Sequence, residues 1–274
     1  MKWTLRRILG FLCAMCAGGS AFAQSNRIDI VTPSAPELAS YGTFAIGVRT
    51  LQVTDKNRPD ILNTKEGGPT VRYDRTLTLE VWYPATLAAG QTPGGDYRAM
   101  TRDTAITVTL HGQAVRDAAP AATAATFPLV IISHGYPGNR YLMSHLGESL
   151  ASRGFVVASI DHKDSTYDDQ KAFASTLYNR AFDQLFVLNE MARLGKPDSG
   201  SFLSARVDAS HTGVVGYSMG GYGVVNLVGG GYSRASETLA GAPPNRLLAE
   251  RGAANPEYRK TLDARVKAAI AIAP

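Results

Sequence analysis

Cysteine is almost absent from this sequence. Only Cys13 and Cys16 occur in 274 residues, both near the N-terminus. From residue 17 onward the chain therefore has no disulfide, no thiolate metal site and no cysteine nucleophile. Long apolar runs are missing as well. The stretch 8–17 is the most sustained, and it falls short of the roughly 20 residues that cross a bilayer. No run of five or more basic residues occurs, which removes the usual electrostatic footprint for nucleic acid. Histidine is scarce and lopsided: the five are His111, His134, His145, His162 and His211.

What is present suits a folded domain. The chain is 45% hydrophobic and 19% charged, a composition that excludes disorder and low-complexity architectures. Lys2, Arg6 and Arg7 precede the apolar run, and Ala21-Phe22-Ala23 follows it. A basic start, a short apolar middle and a small-x-small end spell a secretory signal peptide over residues 1–23, cut after Ala23. Both cysteines leave with it, and Cys13-Ala14-Met15 ahead of Cys16 makes a poor lipidation signal. The formal charge of +5 falls to +2, with 25 Lys and Arg left against 23 Asp and Glu. The expectation is a periplasmic or secreted protein with no stable membrane anchor.

Residues 24–40, with Pro33 and Pro36, read as an exposed leader, and 41–274 as one domain. Residues 41–53 and 76–83 have strand character and are expected to pair antiparallel at a sheet edge, with 55–69 a loop between them. Leu129-Val130-Ile131-Ile132 is a continuous apolar run, as in a strand buried on both faces. Residues 155–160, 212–217 and 266–272 read as further buried strands. The spacing predicts helices over 141–153, 175–194 and 218–228; on the second, Leu177, Ala181, Leu185, Leu188 and Ala192 share a face. Buried strands alternating with helices define an α/β fold with a mostly parallel sheet and flanking helices.

Chemistry concentrates at Gly216-Tyr217-Ser218-Met219-Gly220. This is G-x-S-x-G placed where a buried strand turns directly into a helix, the frame of a nucleophile elbow. Such a turn puts the serine in an unfavourable backbone conformation, and Gly216 and Gly220 are small so that the tight turn can close. Ser133-His134-Gly135-Tyr136 follows the first buried strand. In an α/β-hydrolase fold the loop there provides one oxyanion-hole amide and the residue after the nucleophile provides the other, which assigns the backbone N–H groups of Tyr136 and Met219.

Residues 127–135, 150–158 and Asp161-His162-Lys163-Asp164-Ser165 resemble the platelet-activating-factor acetylhydrolase-like branch of the α/β-hydrolases, whose bacterial members are often called predicted dienelactone hydrolases. The resemblance covers roughly 127–221 well and the flanks loosely. It implies a serine esterase acting on small or oxidised acyl esters through Ser218, without cofactor or metal. Dienelactone hydrolases proper use cysteine at that position, so the name serves as a family label only.

The triad in this fold runs serine, acid, histidine along the chain, yet every histidine precedes Ser218. The expectation is a hydrolase domain truncated before its last strands, with the triad acid and histidine beyond residue 274. Residues 24–274 alone would then show negligible esterase activity. His162, after the 155–160 strand, is the best substitute among the five, although bonding to Asp161 or Asp164 is the simpler role. Residues 232–265 are expected to cap an acyl pocket, with Tyr136, Tyr141 and Tyr222 as candidate lining; Tyr222 reads more simply as packing. Two alternatives remain open at this stage: acyl transfer on the same fold, and a non-catalytic hydrolase-like binding protein.

Overall fold

A computed structural model describes residues 26–30 and 40–274. The signal peptide and most of the leader fall outside the described residues. The strands are β1 (Ala45–Pro59), β2 (Arg72–Thr86), β3 (Gly95–Met100), β4 (Thr107–Gly112), β5 (Val115–Arg116), β6 (Ala119–Pro120), β7 (Phe127–Ser133), β8 (Val156–Asp161), β9 (Val207–Tyr217) and β10 (Val266–Ile272). The helices are α1 (Ser144–Ser152), α2 (Phe173–Leu194), α3 (Met219–Leu227) and the short α4 (Pro256–Lys260). Two 3-10 segments, Ser236–Thr238 and Pro244–Arg251, lie between α3 and α4.

The main sheet runs β10-β9-β7-β8-β2-β1-β5. β10, β9, β7 and β8 are mutually parallel, whereas β2 is antiparallel to both β8 and β1. Alternation along β7 explains why it is central. Leu129 and Ile131 enter the apolar cluster beneath α2 and α3, while Val130 and Ile132 enter the cluster beneath α1. Successive side chains of a strand point to opposite faces, so a strand covered on both sides must be apolar throughout. Each such Leu or Ile contributes about 1.5–3 kcal/mol through burial.

Four expectations need correction. β1 does not stop at Val53; Asp55, Arg58 and Pro59 still pair with Arg75, Tyr73 and Arg72 across a bulge, so part of the expected loop is strand. β2 is not an edge strand but lies between β1 and β8. β3 pairs with β4 in a separate two-stranded sheet; residues 84–127 carry little periodicity beyond 105–110, which overlaps β4 alone. β10 has the expected limits but is exposed along most of its length, with Ile270 55% accessible, because it forms the sheet edge among the described residues.

The hairpin is fastened by one buried carboxylate. Glu148 of α1 accepts hydrogen bonds from the amides of Gln113 (2.8 Å) and Ala114 (3.0 Å), from Tyr41 Oη (2.8 Å) and from Tyr97 Oη. Among the described residues no helix is long and apolar enough to cross a membrane.

Candidate active site

β9 ends at Tyr217 and α3 begins at Met219, leaving Ser218 alone in the turn at φ 51°, ψ −119°. A non-glycine residue there carries about 1–3 kcal/mol of strain, which only the surrounding structure can hold in place. The surroundings are tight. A Cβ on Gly216 would lie 2.2 Å from the backbone C and O of Gly220, and one on Gly220 would lie 2.0 Å from Ser133 O. The Ser218 amide donates to Ile272 O on β10 at 2.8 Å, and its carbonyl accepts from Tyr222 N at 2.9 Å. The side chain is half-buried, and among the described residues its hydroxyl has no hydrogen-bond partner.

The loop after β7 closes on this serine. A Cβ on Gly135 would come within 3.3 Å of Ser218 Cβ, so the loop passes directly beside Ser218. Neither the Tyr136 nor the Met219 amide has a backbone acceptor among the described residues. The Tyr136 hydroxyl donates to Lys171 O at 2.5 Å, and its ring meets Phe173 edge-on at 5.1 Å. Beside α3 lies a cavity of about 390 Å³, lined by Phe173, Leu177, Tyr222, Tyr232, Leu239 and Leu248 among others; none of its lining side chains is charged.

The histidines fall elsewhere. His162 is buried, with Nδ1 3.0 Å from Asp183 Oδ2 and Nε2 2.8 Å from Ser133 Oγ. Its partner is thus Asp183 on α2, not Asp161 or Asp164. Ser133, His162 and Asp183 reproduce the connectivity of a catalytic triad, yet each is at most 1% accessible, so no ester can reach them. Burial, with the Arg180 charge nearby, pushes the His162 imidazole down to about 3. His134 is also buried, with Nδ1 2.7 Å from Gly135 O and Nε2 accepting from His162 N at 3.2 Å. Burial, reinforced by Arg180, holds it well below its ordinary value. His111 pairs with Asp96 and the exposed His211 with Asp208, while His145 sits on the exposed side of α1. None of the five is hydrogen-bonded to Ser218.

Tyr141 is displaced from its expected role. It packs on Tyr97 in the cluster beneath α1, and its hydroxyl meets Arg140 and Glu80. Tyr222 moves the other way, from presumed packing to cavity wall, with its hydroxyl donating to Leu177 O at 3.1 Å.

Residues that the sequence reading missed lie on α2. Its buried face carries Asn179, Arg180, Asp183 and Gln184, whereas Leu177 and Leu185 are only partly buried. Arg75 Nε and Nη2 bind the two Asp183 oxygens at 2.8 and 2.9 Å, and Arg75 Nη1 reaches Asp164 at 3.0 Å. Burial alone would raise the Asp183 carboxyl, but the Arg75 charge and the His162 hydrogen bond hold it below the usual carboxylate range. Gln184 Nε2 donates to Gly220 O at 3.0 Å. The signal available was helical: polar residues at positions 180, 183 and 184 share one side of the helix, but amphipathic reading sends polar groups to solvent.

The parallel sheet, the strained serine at the β9–α3 turn and the loop after β7 define an α/β-hydrolase fold. The chain belongs to the family described as PETase: PET hydrolase-like, which matches residues 86–239, more than half of it. Relatives include Cutinase 2 of Thermobifida cellulosilytica, 38% identical over 102 residues, covering 37% of this chain and 34% of that protein. Cutinase cut1 of Thermobifida fusca is 38% identical over 102 residues, covering 37% of this chain and 28% of that protein. The platelet-activating factor acetylhydrolase of Cavia porcellus is 40% identical over 67 residues, covering 23% of this chain and 15% of that protein. The match thus spans about a third or less of the length of these curated relatives. A solved ferulic acid esterase from Streptomyces cinnamoneus superposes with a TM-score of 0.48 at 29% identity, covering 68% of this chain and 56% of that one.

Proposed function

We propose that this protein is an exported serine hydrolase that cleaves carboxylic esters through an acyl-enzyme on Ser218. The observation that carries the reading is the strained Ser218 backbone at φ 51°, enclosed by glycines that admit no Cβ. Strain of this kind persists where it aims a side chain. The Tyr136 and Met219 amides are the donors for the oxyanion that forms when Ser218 Oγ attacks the ester carbonyl; in a comparable enzyme one such donor contributes about 2.7–4 kcal/mol to transition-state stabilisation. The uncharged cavity along Phe173, Leu177 and Tyr222 suits a neutral ester group, with 232–265 acting as its cap. Names among the relatives agree with ester substrates: cutinases and a platelet-activating factor acetylhydrolase.

The test is covalent labelling. A fluorophosphonate probe incubated with the protein should add one adduct, mapped by mass spectrometry to the Ser218 peptide and lost in Ser218→Ala. No adduct, or adducts scattered over several serines, would refute the assignment.

A further inference from the structure

We propose that Arg180 is a positioning residue of the oxyanion hole: from the core it binds the carbonyl end of the peptide whose N–H, that of Tyr136, is assigned to the oxyanion. The inference rests on the reading of Ser218 as nucleophile and goes beyond it. Arg180 is 1% accessible. Its Nη1 donates to His134 O at 3.1 Å, and its Nη2 donates to Gly135 O at 3.4 Å and to Ser165 Oγ. Gly135 C=O and Tyr136 N–H belong to one amide group. His134 Nδ1 donates to the same Gly135 oxygen at 2.7 Å, the tautomer being fixed because His134 Nε2 accepts from His162 N. Two donors on one carbonyl orient that peptide and draw electron density toward its oxygen, which makes its N–H a stronger donor.

The charge matters as much as the geometry. Arg75 claims both oxygens of Asp183 and reaches Asp164, and Arg58 pairs with Asp55. Arg180 has no carboxylate within ion-pair distance among the described residues, and its Nε has no partner at all. A buried guanidinium normally sits against an acid, because an isolated charge in the interior is costly. Its hydrogen-bond acceptors are all neutral, and the carboxylate whose charge does reach it, Asp183, is bound on both oxygens by Arg75, so its positive charge is only partly answered before an anion appears during reaction. Burial brings the group down to about 9, which leaves it charged at neutral pH. A charge held in a water-excluded site before the reaction stabilises developing negative charge without reorganisation.

Phenylboronate binding to the whole chain tests this without requiring turnover. Ser218 Oγ adds to boron, one B–O bond forms, the serine proton passes to solvent, and the tetrahedral boron carries the negative charge. Boron-11 NMR reports the tetrahedral adduct. Arg180→Gln should weaken phenylboronate about 10–100-fold, smaller than or near the loss of a direct donor, with neutral benzamide affinity changed less than threefold. Arg180→Lys, which keeps the charge, should recover at least half of the loss on a logarithmic scale. Urea midpoints would identify a variant that has not folded, in which case the folded one decides: parent-like boronate binding in Arg180→Gln, or a full loss in Arg180→Lys, overturns the proposal. Equal weakening of boronate and benzamide also overturns it, since that marks a distorted cavity. A parent that gives no Ser218-dependent tetrahedral adduct overturns the nucleophile reading and this inference together.

Discussion

Lowering the pH should unfold this protein through His162, and the structure says by how much. The imidazole is fully enclosed between Ser133, Asp183 and His134, and burial depresses it from 6.5 to about 3. Between these values the unfolded chain binds a proton that the folded chain refuses, so stability rises with pH across that window. The contribution is complete above about pH 6.5 and is lost as pH falls toward 3. At about 1.4 kcal/mol per unit, the full shift amounts to about 5 kcal/mol, a third or more of a typical domain's stability. His134 is depressed in the same direction, so it steepens the parent slope further. Urea titrations followed by Trp82 fluorescence at half-unit steps from pH 7.5 to 4.5 give this slope directly. His162→Asn retains an amide that can donate toward Asp183 but has no titrating group. It should cost stability at pH 7 and reduce the slope by about 1.4 kcal/mol per unit. The other histidines are the same in both proteins, so the difference between the two slopes reports His162 alone. An unchanged slope in the variant would mean that His162 titrates in the folded state, and that the buried Ser133–His162–Asp183 arrangement is misunderstood.

Further outcomes follow from single contacts. Gly220→Ala places a Cβ 2.0 Å from Ser133 O and 2.9 Å from His134 O, both backbone atoms, so it should lower stability by about 3 kcal/mol or more and abolish fluorophosphonate labelling; urea unfolding and mass spectrometry read both. Glu148→Ala leaves the Gln113 and Ala114 amides without their acceptor and should cost about 3–5 kcal/mol in the same titration.

The elements legible in the sequence were those whose burial is one-dimensional. β7, β8 and β9 are apolar runs between helices, and no other assignment accommodates Leu129-Val130-Ile131-Ile132. Elements that depend on a partner were not legible. Residues 55–59 look like loop because Asp, Lys, Asn and Arg dominate, yet Asp55, Arg58 and Pro59 are held by Arg75, Tyr73 and Arg72 across the ladder. β3 and β4 carry little pattern of their own because Glu148, 34 to 35 positions away from the amides it binds, fastens their base. Ser218 and its glycines were readable because their requirement is local and steric. Asp183 and Arg180 were not, since a charge on the inward side of a helix makes sense only once Arg75 and the carbonyls of His134 and Gly135 are seen to meet it.

The Ser218 amide is held by Ile272 O, the last residue of an exposed strand, at 2.8 Å. The serine is therefore strung between the rigid middle of the sheet and the ribbon that forms its edge among the described residues. Fraying of that ribbon releases the anchor, and the turn can relax out of its positive-φ state without the core melting. Reactivity and global unfolding then have different thresholds: mild heating or low urea should silence Ser218 before Trp82 reports any loss of the fold.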